Sequence, residues 1–305
     1  MAISDEYRRQ VSLLVQMLPF VAKEKCFALK GGTAINLFVR DLPRLSVDID
    51  LTYLPVRDRQ GSLDDIDATL KRISGAISSG IPDARVQTSK LRDDRTVNKL
   101  IVQTPNAQVK IEVTPVLRGC VFDPEVRPVA EAVESEFGFA RMQVVSFADL
   151  YAGKIVAALD RQHPRDLFDV RDLLANEGVD NDLRTAFVVY LLSHGRPIHE
   201  VLSPTRLDLS REYARGFDGM TTEPVSLKEL LNTREQMVEK MTNEMPDEHR
   251  QLLVSFVVGS PDWSLIHANQ IDALPAIRWR AHNLDKLKEK QRIELADQLI
   301  SVLGS

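Results

Sequence analysis

The stretch Arg44-Leu45-Ser46-Val47-Asp48-Ile49-Asp50-Leu51-Thr52-Tyr53-Leu54 decides the fold. From Ser46 to Leu54 it alternates: Val47, Ile49 and Leu51 fall on one face, and Ser46, Asp48 and Asp50 on the other. A period of two is that of a strand with one buried side. Asp48 and Asp50 then point the same way, and like charges held that close repel unless a cation sits between them. The pair alone says little. With 44 acids among 305 residues, chance supplies about six such acidic i,i+2 pairs, most of them solvated strand faces.

The neighbouring sequence gives the pair its meaning. Residues 5–24 read as an amphipathic helix. Cys26 to Lys30 is a short apolar run that predicts a buried strand. Gly31-Gly32-Thr33 breaks it, and Ala34 to Arg40 reads as a helix. Such a turn leaves backbone N–H groups free to hold phosphate oxygens at a helix N-terminus, although a Gly-rich turn is often only a turn. Asp64 to Ser79 predicts a helix whose core stripe is Leu63, Ile66, Leu70, Ile73 and Ile77. Strands follow over Ala84–Leu91, Lys99–Gln103 and Gln108–Leu117. In the last, Val109, Ile111 and Val113 share one face, and Lys110, Glu112 and Thr114 the other.

Ser146-Phe147-Ala148-Asp149 resembles a capping box opening a helix through Leu159. Pro164 suits the first turn of another, ending near Gly178. Helical patterns then dominate, over Leu183–Leu192, Leu227–Met241, His249–Val258 and Leu284–Leu303. The fold class is therefore α+β, strands alternating with helices over residues 1–178 followed by a mostly α-helical domain over 179–305.

Composition excludes much. With 44% hydrophobic and 27% charged residues the chain is of ordinary globular type. Cys26 and Cys120 are its only cysteines, too few for a disulfide scaffold, and a reducing, cytoplasmic home follows. No apolar run approaches the roughly 18 residues of a membrane span. The start lacks the basic region of a signal peptide. A net charge of −5 speaks against general coating of nucleic acid. Yet residues 85–118 and 278–292 are each net +4, and each reads first as a solvated face. No Gly-x-x-x-x-Gly-Lys-Ser/Thr, no Gly-x-Ser-x-Gly and no zinc spacing occurs, so a P-loop ATPase, a serine hydrolase and a zinc enzyme drop out.

Three carboxylates from two strands, beside a phosphate-cradling turn, are what two-metal phosphoryl transfer requires. At this point the residues meet a known family. Gly31-Gly32-Thr33, Arg44 to Asp50, and Lys110-Ile111-Glu112-Val113 resemble the nucleotidyltransferase superfamily that includes DNA polymerase β. Leu150-Tyr151-Ala152-Gly153-Lys154, then Arg161-Gln162-His163-Pro164-Arg165-Asp166-Leu167-Phe168-Asp169, are similar to the AbiEii/AbiGii family of bacterial toxin–antitoxin and abortive-infection toxins. The motifs span about residues 25–175 and are specific as a set rather than singly.

The resemblance implies a polymerase β-like domain, a mixed sheet with flanking helices, and assigns roles by position. Asp48, Asp50 and Glu112 would hold two Mg²⁺ ions, or Mn²⁺ in their place. Gly31, Gly32, Thr33 and Ser46 would bind triphosphate; many relatives have Gly-Ser where this chain has Gly-Gly-Thr. Lys154 would neutralise phosphate charge, and Arg165, Asp166 and Asp169 would complete a later motif. Plainer readings stand beside these. Lys154 could be a solvated helix lysine. Asp166, Asp169 and Asp172 could form ordinary helix ion pairs with Arg165 or Arg171. His163, just before Pro164, reads as a cap rather than a general base.

The activity so implied is transfer of a nucleotide from an NTP to an acceptor, with tRNA at its 3′ end as the acceptor class. Arg92, Arg95, Lys286 and Lys290 are then the candidate RNA contacts. The resemblance also implies an antitoxin that acts without a tight complex, and no membrane partner. The alternatives are an enzyme that modifies a small molecule, as in aminoglycoside resistance, or a protein, and a non-catalytic NTP-binding regulator. Three retained like charges weigh against the last.

Overall fold

The structure, a computed structural model, describes residues 5–91 and 96–304. The chain forms two compact units, Met1–Ser146 with Gly219–Pro224, and Phe147–Asp218 with Val225–Ser305.

The first unit runs α1 (Asp5–Val21), β1 (Phe27–Lys30), α2 (Gly31–Ala34), a π-helical turn over Ile35–Val39, β2 (Asp48–Tyr53) and α3 (Arg59–Gly80). It continues through β3 (Arg85–Lys90), β4 (Val97–Gln103), β5 (Gln108–Arg118), β6 (Glu125–Pro128), α4 (Glu131–Phe137) and β7 (Arg141–Val144). The strands lie in the order β3-β4-β5-β2-β1-β7-β6. β2 pairs parallel with β5 and β1 parallel with β7, while the other pairings are antiparallel. The sheet is mixed, as the resemblance implies.

The alternation read from β2 and β5 is the alternation of burial. Ile49, Leu51, Tyr53, Val109, Ile111 and Val113 are buried. With them lie Val11, Leu14, Leu18 and Val21 of α1 and Leu63, Ile66, Leu70, Ile73 and Ile77 of α3. Each such side chain contributes about 1.5–3 kcal/mol, which commits the opposite face of β2 and β5 to the polar residues. α3 begins before the expected Asp64 because Asp58 caps it, its Oδ1 accepting from the Gly61 N–H at 2.8 Å. β6, α4 and β7 occupy a stretch where the sequence pattern assigns nothing. The mostly exposed β6 has no alternation to read.

The segment Gly219–Pro224 returns to this unit. The Leu45 N–H donates to the Met220 carbonyl at 3.0 Å, and the Thr222 N–H to the Pro43 carbonyl at 3.0 Å. These bonds hold the loop that leads into β2.

The second unit is helical: α5 (Phe147–Arg161), α6 (Pro164–Asn176), α7 (Asn181–Leu192), α8 (Ile198–Leu202), α9 (Ser210–Gly216), α10 (Leu227–Val238), α11 (Asp247–Val258), α12 (Pro275–Asp285) and α13 (Glu289–Leu303). The units part at Ser146/Phe147, whereas the sequence puts the boundary near Gly178. The reason is packing: α5 lies against α7, and α6 against α10. A Cβ at Gly153 of α5 would stand 3.1 Å from the Tyr190 ring, so glycine permits that close approach. The single helix expected over Leu284–Leu303 is two, α12 and α13. Lys288 is extended at the start of α13, and its N–H donates to Gln291 Oε1 at 3.0 Å. No helix among the described residues is long and apolar enough to cross a membrane.

Candidate active site

Four adjacent strands of the first unit present one charged face. Asp48 is the register partner of Lys110, and Asp50 of Glu112. Lys30 pairs with Asp50 across β1 and β2, and Lys99 with Glu112 across β4 and β5. Directly opposed residues share a side of the sheet. Three carboxylates and three ammonium groups therefore stand together. Lys30 and Lys99 escaped the sequence reading, because only strand pairing brings them beside the acids.

The lysines have partners. Lys110 Nζ lies 3.0 Å from Glu112 Oε2 and 3.5 Å from Asp48 Oδ2. Lys99 Nζ lies 3.3 Å from Glu112 Oε1. Lys30 Nζ donates to Thr114 Oγ1 at 3.1 Å. The sequence places Lys110 on the Glu112 side of its strand, and in the structure its ammonium stands between Glu112 and Asp48. Among the described residues no three acidic, imidazole or thiol side chains form a ready metal cage.

Electrostatics divides the carboxylates. Burial, and then the Asp48 charge, push the Asp50 carboxyl above its ordinary range. Burial acts on Glu112 the same way, but the hydrogen bond and charge of Lys110, with Lys99 behind it, outweigh that and hold Glu112 below its ordinary range. Burial also lowers Lys30, against the pull of Asp50. A desolvated carboxylate facing a like charge is a place for added positive charge. All the donors are oxygens, the set a hard divalent cation prefers. The residues fit such an ion, and Asp48, Asp50 and Glu112 are the ones that would hold it.

The Gly-Gly turn abuts this face. Gly31 has φ +74°, and a Cβ there would sit 2.8 Å from Asp50 Oδ2. A Cβ on Gly32 would sit 2.8 Å from both Ser46 Oγ and an Arg44 guanidinium nitrogen. Glycine is needed for the backbone conformation at Gly31 and for close approach at both positions. Thr33, expected to offer its hydroxyl to triphosphate, is fully buried, its Oγ1 donating to the Asp48 carbonyl at 2.5 Å. Ser46 Oγ lies 3.0 Å from the same hydroxyl. In this arrangement Thr33 ties the turn to the start of β2. The Ser46 N–H donates to the Tyr7 hydroxyl, bringing α1 into the same network. Tyr7 carried no sequence signal beyond its residue type, and Arg44 entered only as the first residue of a quoted motif.

The later motif builds a cluster in the second unit. Lys154 is 7% exposed, which excludes the solvated-lysine reading. Its Nζ lies 2.9 Å from Asp166 Oδ1 and 2.9 Å from Asp169 Oδ2. Arg161 Nε adds a contact of 2.6 Å to Asp166 Oδ2. Burial alone would raise Asp166, yet Lys154 and Arg161 hold it far below the usual carboxylate range. Lys154 thus pairs with both Asp166 and Asp169, Arg161 adds to Asp166, and Asp172 pairs with Arg171 at 2.8 Å. Arg165 is exposed. His163 caps α6, its Nδ1 accepting from the Arg165 N–H at 3.1 Å.

The basic stretches are less uniform than their charge suggests. Arg118 is buried and donates to the Asp58 carbonyl at 3.3 Å. Arg280 donates to the Gly195 carbonyl at 2.6 Å. Lys286 lies over the exposed Trp279 ring, 5.6 Å from its centroid, and Lys290 is exposed. Arg92 and Arg95 lie outside the described residues.

A mixed sheet bearing paired aspartates and a partner glutamate beside a Gly-Gly turn is the frame of a nucleotidyltransferase. The family model for the nucleotidyl transferase AbiEii toxin of type IV toxin–antitoxin systems matches residues 12–282, and the chain belongs to that family. The match reaches well beyond the motif region, into the helical half. The fold is similar to that of MenT4, a nucleotidyltransferase toxin from Mycobacterium tuberculosis H37Rv. That likeness has 17% identity and a TM-score of 0.60 over 98% of this chain and 92% of that one. A comparison with curated proteins gives no match. The chain is a toxin-family nucleotidyltransferase, with an NTP as substrate and an antitoxin as counterpart. Enzymes of this class generally use divalent metals.

Proposed function

We propose that this protein transfers a nucleotide from an NTP to the 3′ end of tRNA, blocks aminoacylation and so halts translation. The observation that carries the reading is the Asp50–Glu112 register beside Gly31, which puts carboxylates from two strands next to the turn. Asp48, Asp50 and Glu112 would hold Mg²⁺, two ions in all, which when bound would neutralise phosphate charge and lower the pKa of the attacking hydroxyl. The acceptor oxygen attacks the α-phosphorus, its proton passes to a carboxylate of this set, and the bond to pyrophosphate breaks. The turn at Gly31-Gly32 holds phosphate oxygens, with Thr33 and Ser46 keeping the turn against β2. In the second unit Lys154, Arg165, Asp166 and Asp169 belong to the family's later motif, and their proposed role is toward the nucleotide. Most of the catalysis is positioning and electrostatics.

On this reading residues 1–178 carry the chemistry, and 179–305 shape the acceptor groove. The protein works in the cytoplasm, and its antitoxin acts without a tight complex. The test is to offer radiolabelled NTPs with Mg²⁺ to the purified protein, together with tRNA, a panel of aminoglycosides and protein extract. Label on tRNA alone supports the reading. Label on a drug or a protein moves the acceptor to that class, and no label anywhere removes the activity.

A further inference from the structure

The six charged groups on the sheet face cancel. Lys30, Lys99 and Lys110 oppose Asp48, Asp50 and Glu112. A face that gathers divalent cations gains from surplus negative charge, and here the surplus is taken up internally. Lys110 does most of this. It is the group that bridges two carboxylates, Glu112 at 3.0 Å and Asp48 at 3.5 Å. Both contacts are partly solvated, with Lys110 32%, Asp48 48% and Glu112 31% exposed at the side chain, so exchange for another partner costs little. A lysine ammonium is a compact charge on a flexible four-carbon stem, suited to changing partners without moving the backbone.

We infer that Lys110 is an internal counter-cation that holds Asp48 and Glu112 in the metal-free protein and yields them to the divalent ion when nucleotide arrives. This rests on the proposed reading of the face as the metal site. Lys110 is a positioning residue in that scheme. Released from the carboxylates, its charge needs a new anion, and the triphosphate supplies one. Metal and nucleotide therefore bind synergistically, each making the other's site. The coupling is reciprocal by thermodynamic necessity. Lys99, whose ion pair among the described residues is with Glu112, contributes a smaller part.

The experiment is a Mn²⁺ titration of the full chain, reading free Mn²⁺ by electron paramagnetic resonance. It is run with and without a non-hydrolysable NTP analogue. Wild type is expected to bind Mn²⁺ weakly alone and markedly tighter with the analogue. Lys110→Gln is expected to bind Mn²⁺ alone about tenfold tighter than wild type, within the 5–150-fold usual for coupled sites, and to lose most of the gain from nucleotide. Lys110→Arg keeps the charge and should resemble wild type, while Lys99→Gln should fall between. Equal Mn²⁺ affinity in wild type and Lys110→Gln, with Asp50→Asn abolishing binding, would overturn the counter-cation while leaving the metal site intact. Binding unaffected by Asp50→Asn would instead overturn the metal site itself, and the counter-cation with it. If Lys110→Gln does not fold, Lys99→Gln carries the same test, and an affinity equal to wild type there overturns the inference.

Discussion

Asp50 of β2 and Glu112 of β5 are register partners across a parallel pairing. Two carboxylates far apart in the chain are thus set side by side by backbone hydrogen bonds rather than by a loop. Their separation is determined by the sheet and is insensitive to side-chain substitution nearby. That property allows the acids to be tested singly without loss of the fold.

Asp50→Asn should abolish nucleotide transfer and toxicity while the protein stays folded. Burial and the Asp48 charge disfavour the ionised acid more than Lys110 and Lys30 favour it, so losing the charge lifts a net penalty. Thermal unfolding of the metal-free variant is expected at or above the wild-type temperature. Full activity of the variant in a Mg²⁺-dependent assay would end the metal-site mechanism.

Gly31→Ala should both weaken the fold and cut transfer. Gly31 has φ +74°, and a methyl group there would meet Asp50 Oδ2 at 2.8 Å. A non-glycine residue in the left-handed region costs about 1–3 kcal/mol, and the clash adds displacement of the carboxylate itself. Chemical denaturation measures the first effect. The second appears as a transfer rate reduced beyond what the folded fraction explains.

Lys154 and Asp166 make a pH-dependent contribution. Asp166 has a folded-state pKa held below its unfolded value of about 4. Its stabilisation is therefore fully present above that pH and is lost as pH falls below it. At pH 7 Asp166→Asn should destabilise by about 3–5 kcal/mol, the cost of breaking a buried pair. The gap to wild type should close as the pH is lowered from 4 toward 2, and a gap constant with pH would deny the ion pair. Lys154→Ala leaves Asp166 and Asp169 without the ammonium. It should lower stability as well as cutting the transfer rate by about a hundredfold, whereas the half-exposed Lys240→Ala should do neither.

Periodicity made much of this molecule legible. α1, α3, β2, β4 and β5 each bury one face, and their apolar spacing states it. β6 and α4 were silent because exposed elements carry no such rhythm. The carboxylates were legible as chemistry. Lys30 and Lys99 were not, since a one-dimensional pattern does not say which strand neighbours which. The same limit hid the partner of Asp166 and Asp169: their spacing of three puts them on one helical face, but Lys154 reaches them from another helix. Thr33 was assigned to triphosphate by the family resemblance, and the hydrogen bond from its hydroxyl to the Asp48 carbonyl is a tertiary contact that the motif does not show. The return of Met220 and Thr222 to the loop before β2 rests on backbone hydrogen bonds, which residue types do not encode.

The acceptor is tested through charge. If tRNA is the substrate, its phosphates must be met by lysines and arginines, and binding must weaken steeply with salt through counterion release. Of the four candidates, Lys290 is exposed and Lys286 lies against the exposed Trp279, a cation and an aromatic face side by side. Arg92 and Arg95 come from a stretch that is net +4. Neutralising Arg92, Arg95, Lys286 and Lys290 together should abolish tRNA modification and leave NTP binding unchanged. Each single neutralisation that removes a phosphate contact should lower the slope of log affinity against log salt by about one unit. Trp279→Ala should weaken tRNA binding without changing that slope, because stacking releases no counterions. The measurement is tRNA binding across a salt series, alongside NTP binding in the same buffers. A small-molecule acceptor would leave transfer indifferent to all five changes, and an unaltered tRNA reaction in the quadruple variant would remove these residues from the acceptor surface.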